Sequence, residues 1–240
     1  MMETLPNWIL DHERRRSPAS LHVEVIGDFA CPFSFIGKRR LDAALKSVHG
    51  PVDVSWHPYQ LNPDIPRDGL PFEVYLAQRF GDRANVTPVL EFLVAEGDEV
   101  GIEFRLDDIK TVPNTIIIHQ VMQLADTLGK DTSALAEDLF SAFFEQGRNI
   151  GNRDELLDIA SQYGISDLEL NKAIESDQIR RLVEAREKQV RDGGLAGIPG
   201  FLLNRKLLVV GAQEADDLIN GFDRAMFGDG LKEVVSPALH

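Results

Sequence analysis

The fold of this chain follows from residues 23–41, which read Val23-Glu-Val-Ile-Gly-Asp-Phe-Ala-Cys31-Pro-Phe-Ser34-Phe-Ile-Gly-Lys-Arg-Arg-Leu41. The apolar residues before Gly27 indicate a buried strand, and the pattern after Cys31 is typical of an amphipathic helix. Pro32 suits the first position of that helix, because the N–H group that proline lacks would have no partner there. The stretch therefore predicts a strand that leads directly into a helix, with the only cysteine of the chain at the junction.

Cys31 is the first candidate for chemistry. A thiol at the start of a helix faces unpaired N–H groups and the positive end of the helix dipole, and both favour the thiolate. We therefore expect a lowered pKa and a reactive cysteine, and we prefer this hypothesis to the alternative that Cys31 is a small buried apolar residue. Ser34, one turn further along the same face, either donates a hydrogen bond to the Cys31 thiolate or only fills the space of an absent thiol.

The rest of the chain predicts a β-α-β unit, a long helical segment and a β-β-α unit. Alternating apolar residues predict a strand at 52–58, parallel to the first. Residues 102–106 are predicted to be a short extended piece, 197–204 and 207–210 a hairpin, and 214–227 the last helix. Between these strands, helices are predicted at residues 72–80, 87–100, 114–129, 135–145, 153–163, 167–175 and 178–191.

This order predicts an α/β protein in which residues 21–70 and 193–240 form one domain. Residues 71–192 form an α-helical domain inserted in its middle. Residues 1–20 are predicted to be an arm that packs on the body or on a partner chain through Trp8 and its neighbours. That arm is the only feature that suggests a homodimer.

Composition narrows the classes of function. The formal net charge of −14 argues against binding to nucleic acid or to anionic membrane surfaces. A single cysteine excludes an internal disulfide and a cysteine-cluster metal site, and the histidines show no spacing that suits a metal. The N-terminus does not have the order of a signal peptide, and no stretch approaches the roughly 20 apolar residues of a membrane span. We therefore expect a cytoplasmic protein, since a lone thiol suits a reducing compartment.

Four segments carry a family resemblance. Asp28-Phe-Ala-Cys-Pro-Phe-Ser-Phe-Ile-Gly37 resembles the active-site motif of DsbA-family thioredoxin-fold oxidoreductases, in the FrnE-like branch. Three further segments follow in the order of that branch, namely Trp56-His-Pro-Tyr-Gln-Leu-Asn-Pro63, Pro113-Asn-Thr115 and Gly197-Ile-Pro199 with Gly211-Ala-Gln213. The resemblance covers residues 21–227 and implies a thioredoxin-like fold with an inserted α-helical domain. The branch usually has a second cysteine where this chain has Ser34, so this chain lacks the internal dithiol.

The resemblance also implies a substrate site, with Pro32, Phe33, Asn114, Ile198 and Pro199 as its candidate residues. A proline at position 199 would be cis and lie beside the thiol, leaving the backbone of Ile198 free to pair with an extended substrate. Asn114 either caps the helix that it precedes or lines the substrate site. The second role is the one this segment has in the related kappa-class glutathione transferases and 2-hydroxychromene-2-carboxylate isomerases.

Three functions are compatible with a single-thiol site. The first is a thiol oxidoreductase that forms a mixed disulfide at Cys31, with glutathione as a co-substrate and no other cofactor required. Its partner would be a thiol-containing small molecule or an extended peptide. The second is a glutathione-dependent isomerase or transferase, in whose relatives a serine usually matches Cys31. The third is a non-catalytic protein that holds a peptide in the groove beside Pro199, and a redox sensor is a weaker fourth hypothesis.

Overall fold

The computed structural model describes residues 20–195, 197–228 and 233–235, so the predicted N-terminal arm lies outside the described residues except for Ser20. The strands are β1 (Leu21–Gly27), β2 (Val52–Pro58), β3 (Leu70–Pro71), β4 (Thr111–Val112), β5 (Gly200–Leu203), β6 (Leu207–Val210) and β7 (Glu233–Val235). The helices are α1 (Pro32–Leu45), α2 (Phe72–Phe80), α3 (Arg83–Glu99), α4 (Ile116–Thr127), α5 (Thr132–Phe144), α6 (Arg153–Ser161), α7 (Asp167–Glu175), α8 (Asp177–Asp192) and α9 (Ala215–Phe227).

Five strands form one mixed sheet in the order β2-β1-β5-β6-β7. Strands β1 and β2 are parallel and are joined through α1, while β5 pairs antiparallel with both β1 and β6. The predicted β-α-β and β-β-α units are therefore confirmed, including the hairpin between β5 and β6. Two pairings were not predicted: β7 runs parallel to β6, and β3 pairs with β4 in a small separate sheet.

Two segments differ from the sequence-based predictions. Helix α3 begins at Arg83 rather than at residue 87, because the Asp82 side chain caps it by accepting from the Asn85 N–H at 3.2 Å. The helix then continues through Pro88. Residues 102–106 form no strand, and a 3₁₀ turn follows at Leu106–Asp108. Their alternation has another cause, since Ile102, Phe104 and Leu106 are all buried in the main apolar cluster.

Helix α1 is packed on two sides. Leu41 and Ala44, on the predicted apolar face, lie in a cluster with Val23 and Val25 of the sheet. Phe35 belongs instead to the larger cluster that the helices form, where its ring stacks on Phe140 of α5 at a centroid distance of 5.2 Å. The segment that contains Cys31 is thus held between the sheet and the helical segment.

Charged side chains of α1 connect the same parts of the molecule. Lys38 is only 3% exposed, and its ammonium group lies 2.8 Å from a carboxylate oxygen of Glu137 in α5. Arg40 pairs with Glu96 of α3 and with Glu214, which precedes α9. Such buried cations require partners, because removal from water is costly for a charge that stays unpaired. These pairs fix the orientation of α1 between its neighbours.

A buried carboxylate links three strands of the sheet. Glu24 of β1 is 3% exposed and accepts from Arg205 Nε in the β5–β6 turn at 2.6 Å. Its other oxygen lies 2.9 Å from His57 Nε2 of β2. Burial acts to raise the pKa of Glu24, but the interactions with His57 and Arg205 outweigh it and hold that pKa at about 2.

We predict that Glu24 makes the folded state more acid-sensitive than a glutamine at this position would. A carboxyl whose pKa is lowered from 4.5 to about 2 on folding stabilises the protein above pH 4.5 and loses that contribution as pH falls toward 2. The lost contribution is about 3 kcal/mol. In urea unfolding at several pH values, Glu24→Gln should flatten the fall in stability below pH 5. Glu184→Gln, on the exposed side of α8, should not.

Candidate functional site

Cys31 occupies the N-cap position of α1, as the sequence predicted. Its backbone is extended, and its carbonyl oxygen accepts from the Ser34 N–H at 3.0 Å. The Cys31 N–H donates to the Asp28 carbonyl at 3.1 Å, which closes a tight turn between β1 and α1. The side chain is 3% exposed.

The thiol of Cys31 is nevertheless not activated, so the expected lowering of its pKa is wrong. Burial raises the pKa of Cys31 to about 11, and the charge of Asp28 acts in the same direction. The Ser34 side chain and the backbone N–H groups of Ser34 and Phe33 lower the pKa, but by less. Burial therefore destabilises the thiolate by more than the hydrogen bonds at the start of the helix stabilise it.

Ser34 lies beneath this junction and is completely buried. Its side chain stabilises the Cys31 thiolate by a hydrogen bond, and its Oγ accepts from the Asp28 N–H at 3.4 Å. Space is tight here, since a Cβ on Gly27 would lie 3.0 Å from Ser34 Oγ. Ser34 thus both bonds to Cys31 and fills the volume under the turn.

A cavity of about 430 Å³ opens beside Cys31. Cys31 and the first two residues of α1, Pro32 and Phe33, line this cavity together with Gly197 and Ile198. Most of the remaining lining is apolar and comes from α2, α3 and the segments around residues 61, 109 and 143. Cys31 and Ile198 therefore line the same cavity, although they are far apart in the sequence.

Pro199 does not line this cavity but packs against α1 next to it. The peptide bond between Ile198 and Pro199 is cis, and the Pro199 carbonyl accepts from the Gly211 N–H at 2.7 Å. The proline ring lies against α1 so closely that a Cβ on Gly37 would be 2.7 Å from Pro199 Cγ. Pro199 therefore fixes the position of Ile198 relative to the helix that carries Cys31.

Asn114 also lies outside the cavity lining. Its Oδ1 accepts from the Ile116 N–H at 3.1 Å and from Gln60 Nε2 at 3.2 Å, and its Nδ2 donates to the Ile65 carbonyl at 2.7 Å. These bonds satisfy the start of α4 and tie it to the loop of residues 59–69. The N-cap of α4 is Thr115, whose side chain makes no capping hydrogen bond, so Asn114 is not the N-cap that the sequence suggested. Asn114 accepts from the first N–H of the helix and shapes the site through the loop.

Three residues near the thiol were not predicted from the sequence. Asp28 is 1% exposed and accepts from the Leu61 N–H at 2.5 Å, which attaches the loop after β2 to the turn before Cys31. Tyr75 and Arg79 of α2 line the cavity. Their helical spacing was present in the sequence, but nothing in it indicated that this face of α2 points toward Cys31.

Two negative findings concern the described residues alone. Within them, no group of three or more His, Cys, Asp or Glu side chains is placed to hold a metal ion. None of their helices combines the length and the apolar content that a membrane span requires.

We predict that Gly37→Ala destabilises the protein although alanine favours helices. The added Cβ would meet Pro199 Cγ at 2.7 Å and Phe201 Cζ at 3.1 Å, so the helix must move away from the site. Overpacking of this kind costs about 1–3 kcal/mol, against a helix-propensity gain of about 1 kcal/mol. Urea unfolding should show a net loss of unfolding free energy of up to about 2 kcal/mol. Ala43→Gly on the exposed face of α1 measures the propensity term alone, and a more stable Gly37→Ala protein would contradict the packing described above.

We predict that alkylation of Cys31 accelerates about tenfold for each pH unit from pH 7 to pH 10. The reason is that a thiol with a pKa of about 11 gains thiolate in proportion to hydroxide over that whole range. Iodoacetamide labelling followed by intact mass spectrometry measures the rate, with the urea-unfolded chain as reference. Ser34→Ala should slow labelling at each pH, because the thiolate loses a hydrogen bond. A plateau below pH 9 in the folded protein would contradict the raised pKa.

Comparison with known proteins identifies the family of this chain. Residues 22–222 match the DSBA-like thioredoxin domain family. The uncharacterized protein YwbO of Bacillus subtilis (strain 168) is 24% identical over 187 residues, which cover 77% of this chain and 87% of YwbO.

Two solved structures have a similar fold. The probable DsbA oxidoreductase SCO1869 from Streptomyces coelicolor gives a TM-score of 0.79 at 23% identity, covering 90% of this chain and 94% of that one. The cytosolic disulfide reductase DsbM from Pseudomonas aeruginosa, solved with GSH, gives 0.58 at 19% identity and covers 85% and 95%. At these identities the two structures show a shared fold alone. The family match spans most of the sequence, however, and this chain therefore belongs to the DSBA-like thioredoxin domain family.

Proposed function

We propose that this protein is a thiol oxidoreductase that acts through Cys31 alone, by way of a mixed disulfide. The observation that carries the proposal is the position of Cys31, the one thiol of the chain, on the wall of an apolar cavity of about 430 Å³. Ile198 lines the same cavity, so a bound disulfide would meet both the sulfur and a fixed backbone segment. Membership in a family of DsbA type supports this class of reaction.

The reaction has two balanced steps. The Cys31 thiolate attacks one sulfur of a bound disulfide R–S–S–R, so that a Cys31–S–S–R bond forms and R–S⁻ leaves. A second thiolate then attacks the R sulfur of the mixed disulfide and regenerates the Cys31 thiolate. Because Ser34 stands where a second cysteine would resolve the mixed disulfide, the resolving thiol comes from outside the chain.

The raised pKa sets the conditions for this chemistry. With a pKa of about 11, roughly one Cys31 in ten thousand is a thiolate at pH 7. Exchange in the free protein is therefore slow, and a substrate with a good leaving thiol is favoured. A bound group that donates hydrogen bonds or carries positive charge near the sulfur would increase the thiolate fraction.

Glutathione is the co-substrate that we propose for the second step, with a small disulfide or an extended peptide as the first partner. The DsbM structure contains glutathione and has the same fold, which supports this choice by analogy. The same protein is described as cytosolic, and a site with one unpaired thiol suits the reducing conditions of the cytoplasm, where we place this protein.

Incubation with glutathione disulfide tests the proposal. We predict one glutathionyl adduct on the intact protein, formed faster as pH rises and released by excess reduced glutathione. Cys31→Ser should form none. Ser34→Cys is the matched variant. It places a second thiol at the residue whose side chain makes a hydrogen bond to Cys31, so this variant should form an internal disulfide instead of the adduct. A folded protein that forms no adduct at pH 9, while its unfolded chain does, would contradict the proposal.

The raised pKa also favours a second candidate function. A Cys31 that stays protonated at neutral pH can donate its S–H to the thiolate of bound glutathione, which is what a glutathione-dependent isomerase or transferase requires. The two functions differ in their response to Cys31→Ser. The serine hydroxyl can still donate, so glutathione-dependent turnover would survive the substitution, whereas mixed-disulfide exchange would be lost. Binding of a peptide without any turnover would support the third, non-catalytic hypothesis.

A further inference from the structure

We propose that Arg79 makes the cavity beside Cys31 selective for ligands with an apolar body and one negatively charged group. If this selectivity is combined with the proposed function, the preferred substrate is an anionic apolar thiol or disulfide. This identification of the substrate class rests on the proposed function. The charge selectivity itself is a property of binding and does not require the thiol to react.

One face of α2 lines the same cavity as Cys31. Phe72, Tyr75, Leu76, Arg79 and Phe80 all line the cavity, and their spacing of three, four, seven and eight residues is that of a single helix face. Leu76 is buried, whereas Arg79 is exposed. An exposed side chain that also lines the cavity stands at its opening, so Arg79 lies where a ligand would enter.

Arg79 is the one charged side chain among the described residues that line this cavity. No carboxylate shares the lining, and within the described part of the chain no ion pair within 4 Å involves Arg79. A neighbouring cavity of about 430 Å³ also includes Arg79 and contains Asp64, yet the two do not pair there. The guanidinium group is therefore available to a ligand, and its fork of donors suits a carboxylate or sulfonate.

Tyr75 adds a neutral donor one turn before Arg79. Burial raises the pKa of the Tyr75 hydroxyl, so it keeps its proton at neutral pH. The charge of Arg79 acts in the opposite direction, which shows that the two groups are within electrostatic reach of each other. A ligand that places its anionic group at the opening would meet both donors, while its apolar part contacts the phenylalanine and leucine side chains within.

The charge of the whole molecule makes this selectivity testable. A net charge of −14 repels anions in general, so preferential binding of an anion needs a local source. A cation near the C-terminal end of α2 would also stabilise the helix dipole, but that role does not require the side chain to line the cavity. Measurement of ligand affinity separates these two roles.

The test uses a matched pair of fluorescent probes that do not react with thiols. Anionic 8-anilinonaphthalene-1-sulfonate and neutral N-phenyl-1-naphthylamine differ by one sulfonate group. In fluorescence titrations of the full chain, Arg79→Gln should weaken the anionic probe on the order of fivefold and the neutral probe less than twofold. Arg79→Lys should restore most of the loss. Arg181→Gln, which removes one positive charge from the exposed side of α8, should change neither affinity.

Protection of the thiol locates the bound probe. The anionic probe should slow the labelling of Cys31 by neutral 4,4′-dithiodipyridine, and Arg79→Gln should abolish that protection at the same probe concentration. Equal weakening of both probes, no change in either, or binding without protection of Cys31 would each overturn the proposal. These outcomes are separate from the glutathione adduct test, because a protein that forms the adduct normally can still lack any selectivity for charge.

Discussion

The position of α1 between two apolar clusters is the constraint on which the site depends. One side of the helix packs on the sheet through Leu41 and Ala44, and its first turn packs into the helical segment through Phe35. Both packed sides of this helix are withdrawn from water, and Cys31 at its start is buried with them. The same packing demands a glycine at position 37, because the cis-proline loop approaches the helix too closely for a Cβ.

That burial changes the chemistry of the thiol. A helix start stabilises a thiolate by the charge of a partial dipole and a few hydrogen bonds, whereas loss of hydration costs the full solvation of an anion. Both effects act on Cys31, and the loss of hydration is the larger of the two, so the pKa of the thiol rises. Ser34 offsets part of the cost but, as a hydroxyl, cannot resolve a mixed disulfide. The chain therefore has one buried thiol, and the reaction that we propose for it depends on what enters the cavity.

Local signals in the sequence were sufficient for most of the fold. The apolar run before Gly27, followed by Cys31 and Pro32, predicts a strand-to-helix junction, and the hairpin and helices have regular apolar periods. The pairings that were missed are those with weak local signals, such as the two-residue strands β3 and β4. At residues 102–106 an alternating pattern predicted a short extended piece. This segment forms no strand, and its alternation reflects the burial of Ile102, Phe104 and Leu106.

The sequence by itself determined the β-α-β and β-β-α order, the single thiol at the start of α1 and the absence of a second cysteine, because each depends on residue identity and local spacing. Tertiary structure alone decided that Cys31 is buried, that Asn114 binds the loop of residues 59–69 rather than the cavity, and that Tyr75 and Arg79 line the same cavity as Cys31. Solvation and electrostatic reach depend on which elements meet across the fold. These contacts join segments that are far apart in the chain, so a local sequence pattern cannot predict them.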